Sequence, residues 1–80
     1  MTRLSLASAK VGACVQIAAV EQDREDAHYL SAMGLGVGDR VKILRRGALS
    51  GPIHVARVGG GEFAIDHALA QCLVVTLEPM

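Results

Sequence analysis

Nine glycines cut this 80-residue chain into apolar runs that fit short strands and a single short helix. They stand at Gly12, at Gly34, Gly36 and Gly38, at Gly47 and Gly51, and at Gly59 to Gly61. After Gly12, Ala13 to Val20 alternates, with Val15, Ile17 and Ala19 on one face, which predicts a strand. Residues 24–33 change period and predict an amphipathic helix. Asp23 suits its cap, Glu25 and Asp26 suit the positive end of its dipole, and Ala27, Leu30, Ser31 and Met33 fall at helical spacing. Gly34 suits a left-handed C-cap, with Leu35 folding back on the last turn. Gly36 to Asp39 reads as a turn. Arg40 to Arg45 alternates as a half-buried strand, and Arg46 to Gly51 reads as a loop. Pro52 opens a strand with Ile53, Val55 and Arg57 on one face. Gly59 to Gly61 makes a tight hairpin connection, after which Phe63 and Ile65 point inward. Asp66 to Ala70 forms one turn of helix or 3₁₀, and Cys72 to Leu77 is the last strand. The fold expected is mainly β: one domain over residues 1–80, built as a small five-stranded barrel with one short inserted α-helix. Closure would remove free sheet edges.

Tyr29 and Phe63 are the only aromatic residues and there is no Trp, so the core must be aliphatic. A domain near this size buries roughly 60% of its unfolded surface, so that core is thin. Eight basic and eight acidic side chains balance. The basic excess that phosphate neutralisation demands is missing, as are stacking aromatics, which argues against a nucleic-acid partner. A neutral chain repels its own copies little, so homo-oligomers are open to it. No run approaches the roughly 18 apolar residues of a membrane span, which argues against direct membrane insertion. Met1 to Leu6 lacks the apolar core of a secretion signal, so the expected compartment is the cytoplasm. Cys14 and Cys72 read as buried thiols rather than a disulfide framework.

The chemistry-bearing side chains are scattered. His28, His54, His67, Cys14 and Cys72 make no Cys-x-x-Cys, His-x-x-x-His or Glu-x-x-His spacing. No metal or other cofactor is expected, and any transition-metal contact would be weak. The cysteines lie in strands without a basic partner, and Ser5, Ser8, Ser31 and Ser50 sit in no nucleophile elbow, so no catalytic residue is expected. Gly59 to Gly61 lacks the helix and the Lys-Ser/Thr of a phosphate loop.

Partner docking remains. Tyr29 lies off the core-facing stripe of the helix and combines apolar area with a polar tip, and Met33 is one turn further along. Leu49, in the glycine-bounded loop after Arg45 and Arg46, has no periodic reason for burial. An exposed Leu beside two arginines would suit an acidic-rimmed apolar groove. Tyr29, Met33, Arg45, Arg46 and Leu49 are the candidate docking residues.

The order and spacing of these pieces resemble ferrous iron transport protein A, the FeoA family, and the related SH3-like domain of some metal-dependent repressors. Leu4 to Gly12 is similar to the family's opening turn. Leu30-Ser31-Ala32-Met33-Gly34-Leu35-Gly36-Val37-Gly38 resembles its helix end and Gly-Leu-x-x-Gly element. Gly51-Pro52-Ile53 resembles the start of its third strand, and Phe63 to Val75 its close. Val37 stands where the family often has Pro. The resemblance implies an SH3-like barrel and a non-enzymatic role in ferrous iron uptake, through docking on the cytosolic GTP-binding domain of the FeoB-type membrane transporter. The alternative it leaves is an SH3-like interaction module of a metal-dependent transcriptional regulation system. A generic module for proline-rich peptides needs an aromatic-lined groove, which two aromatics do not supply.

Overall fold

The computed structural model describes residues 3–21 and 24–77. In chain order it contains β1 (Arg3–Ser5), a 3₁₀ turn (Leu6–Ser8), β2 (Cys14–Val20), α1 (Arg24–Met33), β3 (Arg40–Arg46), β4 (Ile53–Arg57), β5 (Glu62–Ile65), α2 (His67–Gln71) and β6 (Leu73–Leu77). The strands form one antiparallel sheet in the order β1-β6-β2-β3-β4-β5.

Two expectations are corrected here. Among the described residues the sheet has six strands, because residues within the predicted opening turn extend as β1 and pair Arg3, Leu4 and Ser5 with Thr76, Val75 and Val74. It is also open. A five-stranded barrel would close by pairing β5 with β6, but β6 already has β2 on one side and β1 on the other. The sheet therefore keeps two edges, β1 and β5, of three and four residues. Their shortness limits the risk that free edges carry.

Strand alternation builds the core. Val15 and Ile17, Val41 and Ile43, Ile53 and Val55, Ile65, Leu73 and Val75 are buried on one face. Leu6, Leu30, Leu35, Leu69 and Ala70 cover them from the 3₁₀ turn, the two helices and the α1–β3 connection. Each large aliphatic side chain so buried contributes about 1.5–3 kcal/mol. Register shifts between Ile17 and Ala19 and between Ile43 and Arg45 mark bulges. A bulge bends its strand and raises its twist, which curls the sheet around a thin core. Phe63 is half-buried against that core, as its predicted inward direction requires.

The helix boundaries follow from their caps. Gly34 takes φ +94°, the left-handed region. Its N–H donates to Ser31 O (3.0 Å) and the Leu35 N–H donates to Leu30 O (2.9 Å). That pair of bonds is a Schellman motif, with Leu30 and Leu35 buried as its apolar contact. The cap expected at Asp23 and the side chains of Glu25, Asp26 and Ala27 lie outside the described residues. At α2, a second short helix, the Asp66 carboxylate accepts the Ala68 N–H at 3.0 Å. This is the N-cap bond that lets a five-residue helix start after a strand.

Candidate docking surfaces

The candidate residues fall at opposite ends of the β3–β4 pair. At one end, α1 presents Tyr29, 57% exposed, while Met33 is half-buried against the core. Tyr29 and Met33 are four residues apart and so share a helix face. The C-terminus of α1 is held by Arg57 on β4. Its Nη1 donates to Gly34 O at 2.6 Å and its Nε to Gly60 O at 3.1 Å. A cation at this end also opposes the negative end of the helix dipole.

The connection from α1 to β3 is equally constrained. Gly38 has φ +99°, and the Asp39 N–H donates to Gly36 O at 3.1 Å. This pattern fits a type II turn, with Val37 at the position that favours proline. The Asp39 carboxylate accepts the Gly36 N–H at 2.9 Å, and Gly38 N donates to Ile17 O at 2.8 Å. Val37 and Val58 are exposed at this end. The Val58 N–H donates to Arg40 O, next to the turn that carries Val37. Neither valine is among the docking residues expected from the sequence. The available signal was position: each is an apolar residue inside a glycine-flanked turn, where no strand or helix period brings it to the core.

At the other end, the predicted loop after β3 is a tight hairpin. Gly47 N donates to Pro52 O (2.8 Å) and Gly51 N to Ala48 O (3.1 Å). Leu49 and Ser50, the two central residues, have φ of +53° and +65°. Positive φ at both positions is the mark of a type I′ turn, which ordinarily carries Asn-Gly. Leu49 is fully exposed. The backbones at Gly47 and Gly51 pass so closely that a Cβ on Gly47 would lie 2.9 Å from Gly51 Cα. The leucine is thus held out in solvent, in a conformation costing roughly 1–2 kcal/mol for a side-chain-bearing residue.

Arg45 is exposed at the end of β3. Arg46 is engaged within the chain: its guanidinium donates to the carbonyls of Ala7 and Ala9. Those acceptors are neutral, so the arginine's charge is not cancelled there. The same turn region carries exposed Lys10 and Val11, tied to β3 by Gly12 N donating to Ile43 O at 2.8 Å.

The remaining chemistry-bearing groups stay apart. His28 is exposed on α1, His54 is half-buried on β4 beside Arg45 and Ala64 in register, and His67 begins α2. Among the described residues, no three His, Cys, Asp or Glu side chains gather as a metal site would require. The expectation of two buried thiols fails at Cys14, which is exposed. Val15 and Ile17 take the inner face of β2, so period two puts Cys14 and Gln16 outside. Cys72 is half-buried, with Sγ 3.5 Å from Ala68 O. Among the described residues, no helix is long and apolar enough to cross a membrane.

A bulged, open antiparallel sheet covered by two short helices defines a small, mainly-β domain of SH3-like type. Solved structures share this fold. An iron uptake regulatory protein, FeoA, matches with a TM-score of 0.84 and 24% identity over 98% of this chain and 100% of that one. The FeoA protein of Chlorobium tepidum gives 0.82 and 24% over 95% of this chain and 71% of that one. A manganese-dependent transcriptional repressor gives 0.89 and 22%, but this chain spans only 38% of its length. No curated protein sequence matches. The FeoA domain model matches residues 4–77. The chain belongs to the FeoA domain family, and membership implies a role in ferrous iron uptake.

Proposed function

We propose that this protein is a non-enzymatic, cytoplasmic accessory of ferrous iron uptake that docks on the cytosolic GTP-binding domain of a FeoB-type membrane transporter. The observation that carries the reading is Tyr29: a large amphipathic side chain more than half exposed on a helix whose far end is fixed by the Leu30–Leu35 cap and by Arg57. A rigid helix bearing an exposed Tyr binds at low entropic cost, since little must be ordered on association. Tyr29 and Met33 form the protein-facing contact. Arg45, Arg46 and Leu49 form a second contact at the opposite end of the β3–β4 pair. By favouring one transporter conformation over another, such an adaptor shifts populations in proportion to its differential affinity.

The test is titration of the whole chain against a FeoB-type GTP-binding domain, with and without guanine nucleotide. Tyr29→Ala should weaken binding by tenfold or more, on the order of the 1.4 kcal/mol of a modest hot spot, while Tyr29→Phe keeps most of it. Absence of binding by the parent chain, or equal binding by Tyr29→Ala, refutes the reading. The fold shared with manganese-dependent repressors supports a second reading, an interaction module in metal-dependent transcriptional regulation. Binding to a regulator rather than to the GTP-binding domain would select it.

A further inference from the structure

The hairpin end breaks a local rule. Type I′ turns want Asn-Gly at their centre, and this chain places Leu-Ser there, with the leucine wholly in solvent. Burial against the rest of the chain does not explain the leucine, and backbone geometry disfavours it. A residue kept against local preference points to a use outside the fold.

Its surroundings state the chemistry of that use. Arg45 is exposed on β3 beside the hairpin, and Lys10 is exposed in the turn bonded to that strand. Arg46 donates to two neutral carbonyls in its clamp, so it adds a third positive charge at the base of the hairpin. Asp66 is the carboxylate that follows the neighbouring end of β5, where Ile65 pairs with Ile53, and its Oδ2 caps α2. Three cations against Asp66 leave this end positive, although the whole chain is neutral. Two exposed apolar side chains, Leu49 and Val11, share the end with these cations. The shape is a two-residue tip standing out from the sheet.

We infer that this end of the molecule rests on an anionic lipid surface, with Leu49 entering the headgroup layer and Lys10, Arg45 and Arg46 facing its phosphates. A soft, negatively charged bilayer surface accepts a protruding apolar tip ringed by cations. The inference rests on the reading that the protein works beside a membrane transporter, and it assigns the second contact to lipid in place of a protein groove. One leucine and three charges give weak, reversible binding, which acts alongside the protein contact at Tyr29 and not in its stead.

The chain has no Trp, so Leu49→Trp supplies a single reporter at the tip. The whole protein is mixed with vesicles of phosphatidylglycerol and phosphatidylcholine, and separately with pure phosphatidylcholine. The expected result is a blue shift of Trp emission, and co-sedimentation of the parent chain, with the anionic vesicles alone. Both should disappear at about 0.5 M salt, where screening is nearly complete. Lys10→Gln and Arg45→Gln should each weaken partitioning about fivefold. Leu49→Asn, which suits the turn and so keeps the fold, should weaken it as well. No partitioning onto anionic vesicles overturns the inference, and so does equal partitioning by the parent and Leu49→Asn. The vesicles contain no transporter, so that failure leaves the Tyr29 titration untouched. Loss of GTP-binding-domain affinity in Leu49→Asn, without any vesicle binding, would assign the tip to a protein groove and overturn the lipid assignment.

Discussion

Replacing Leu49-Ser50 by Asn-Gly should make this protein more stable. Both residues have positive φ, which costs a side-chain-bearing residue roughly 1–2 kcal/mol relative to its preferred backbone. Leu49 is fully exposed, so its removal sacrifices no buried area. Asn tolerates the left-handed region, and Gly removes the penalty at position 50 while loosening the unfolded chain by about 0.4–1 kcal/mol. The net gain is about 1 kcal/mol. For a domain of this size that corresponds to a rise in Tm of roughly 4–8 °C. Calorimetry of the parent and the double variant measures it, with urea unfolding as a second measure in which the midpoint moves and the slope does not. A fall in stability beyond about 0.5 kcal/mol would mean that Leu49 packs on the chain, and the type I′ assignment with its strained leucine would be wrong.

Three further outcomes follow from the fold. Gly34→Ala puts a side chain at φ +94° and should cost about 1–2 kcal/mol in urea unfolding; an unchanged midpoint would contradict the Schellman cap. Val37→Pro fills the proline-favouring position of an exposed type II turn and should raise stability by about 0.4–1 kcal/mol, read as a higher Tm. Leu6→Ala opens a cavity under the 3₁₀ turn, where Leu6 is wholly buried, and should cost about 2–5 kcal/mol, leaving much of so small a domain unfolded by circular dichroism.

Short-range signals in the sequence were readable because single residues decide them. The Gly34 cap, the Asp66 turn of helix and the alternation of Val41-Lys42-Ile43 each follow from one backbone preference or one period, and the structure places them as expected. β1 escaped notice because a three-residue strand is shorter than the alternation that reveals one. Its partner, β6, lies at the far end of the chain, and pairing over such a distance leaves no local trace. The open sheet follows from the same omission, since β1 takes the edge of β6 at which a barrel would close. Exposure of Cys14 was legible in principle: the alternation that buried Val15 and Ile17 already put it outside. Among the candidate residues, the exposure of Leu49 followed from its glycine brackets. The clamp of Arg46 onto Ala7 and Ala9 did not, because side-chain reach across 37 to 39 residues has no sequence signature.

The place of β6 between β1 and β2 has a consequence for how the protein is made. The meander from β2 to β5 is complete once Ile65 has been synthesised, yet β2 then lacks its second neighbour and the 3₁₀ segment lacks the strand it rests on. At roughly 5–20 residues per second, the strand that fills the gap follows on the order of a second later. Until β6 pairs, β2 keeps an unsatisfied strand edge in the middle of the future sheet, next to the bulge at Ile17 and Ala19, so β6 is the strand that completes the fold.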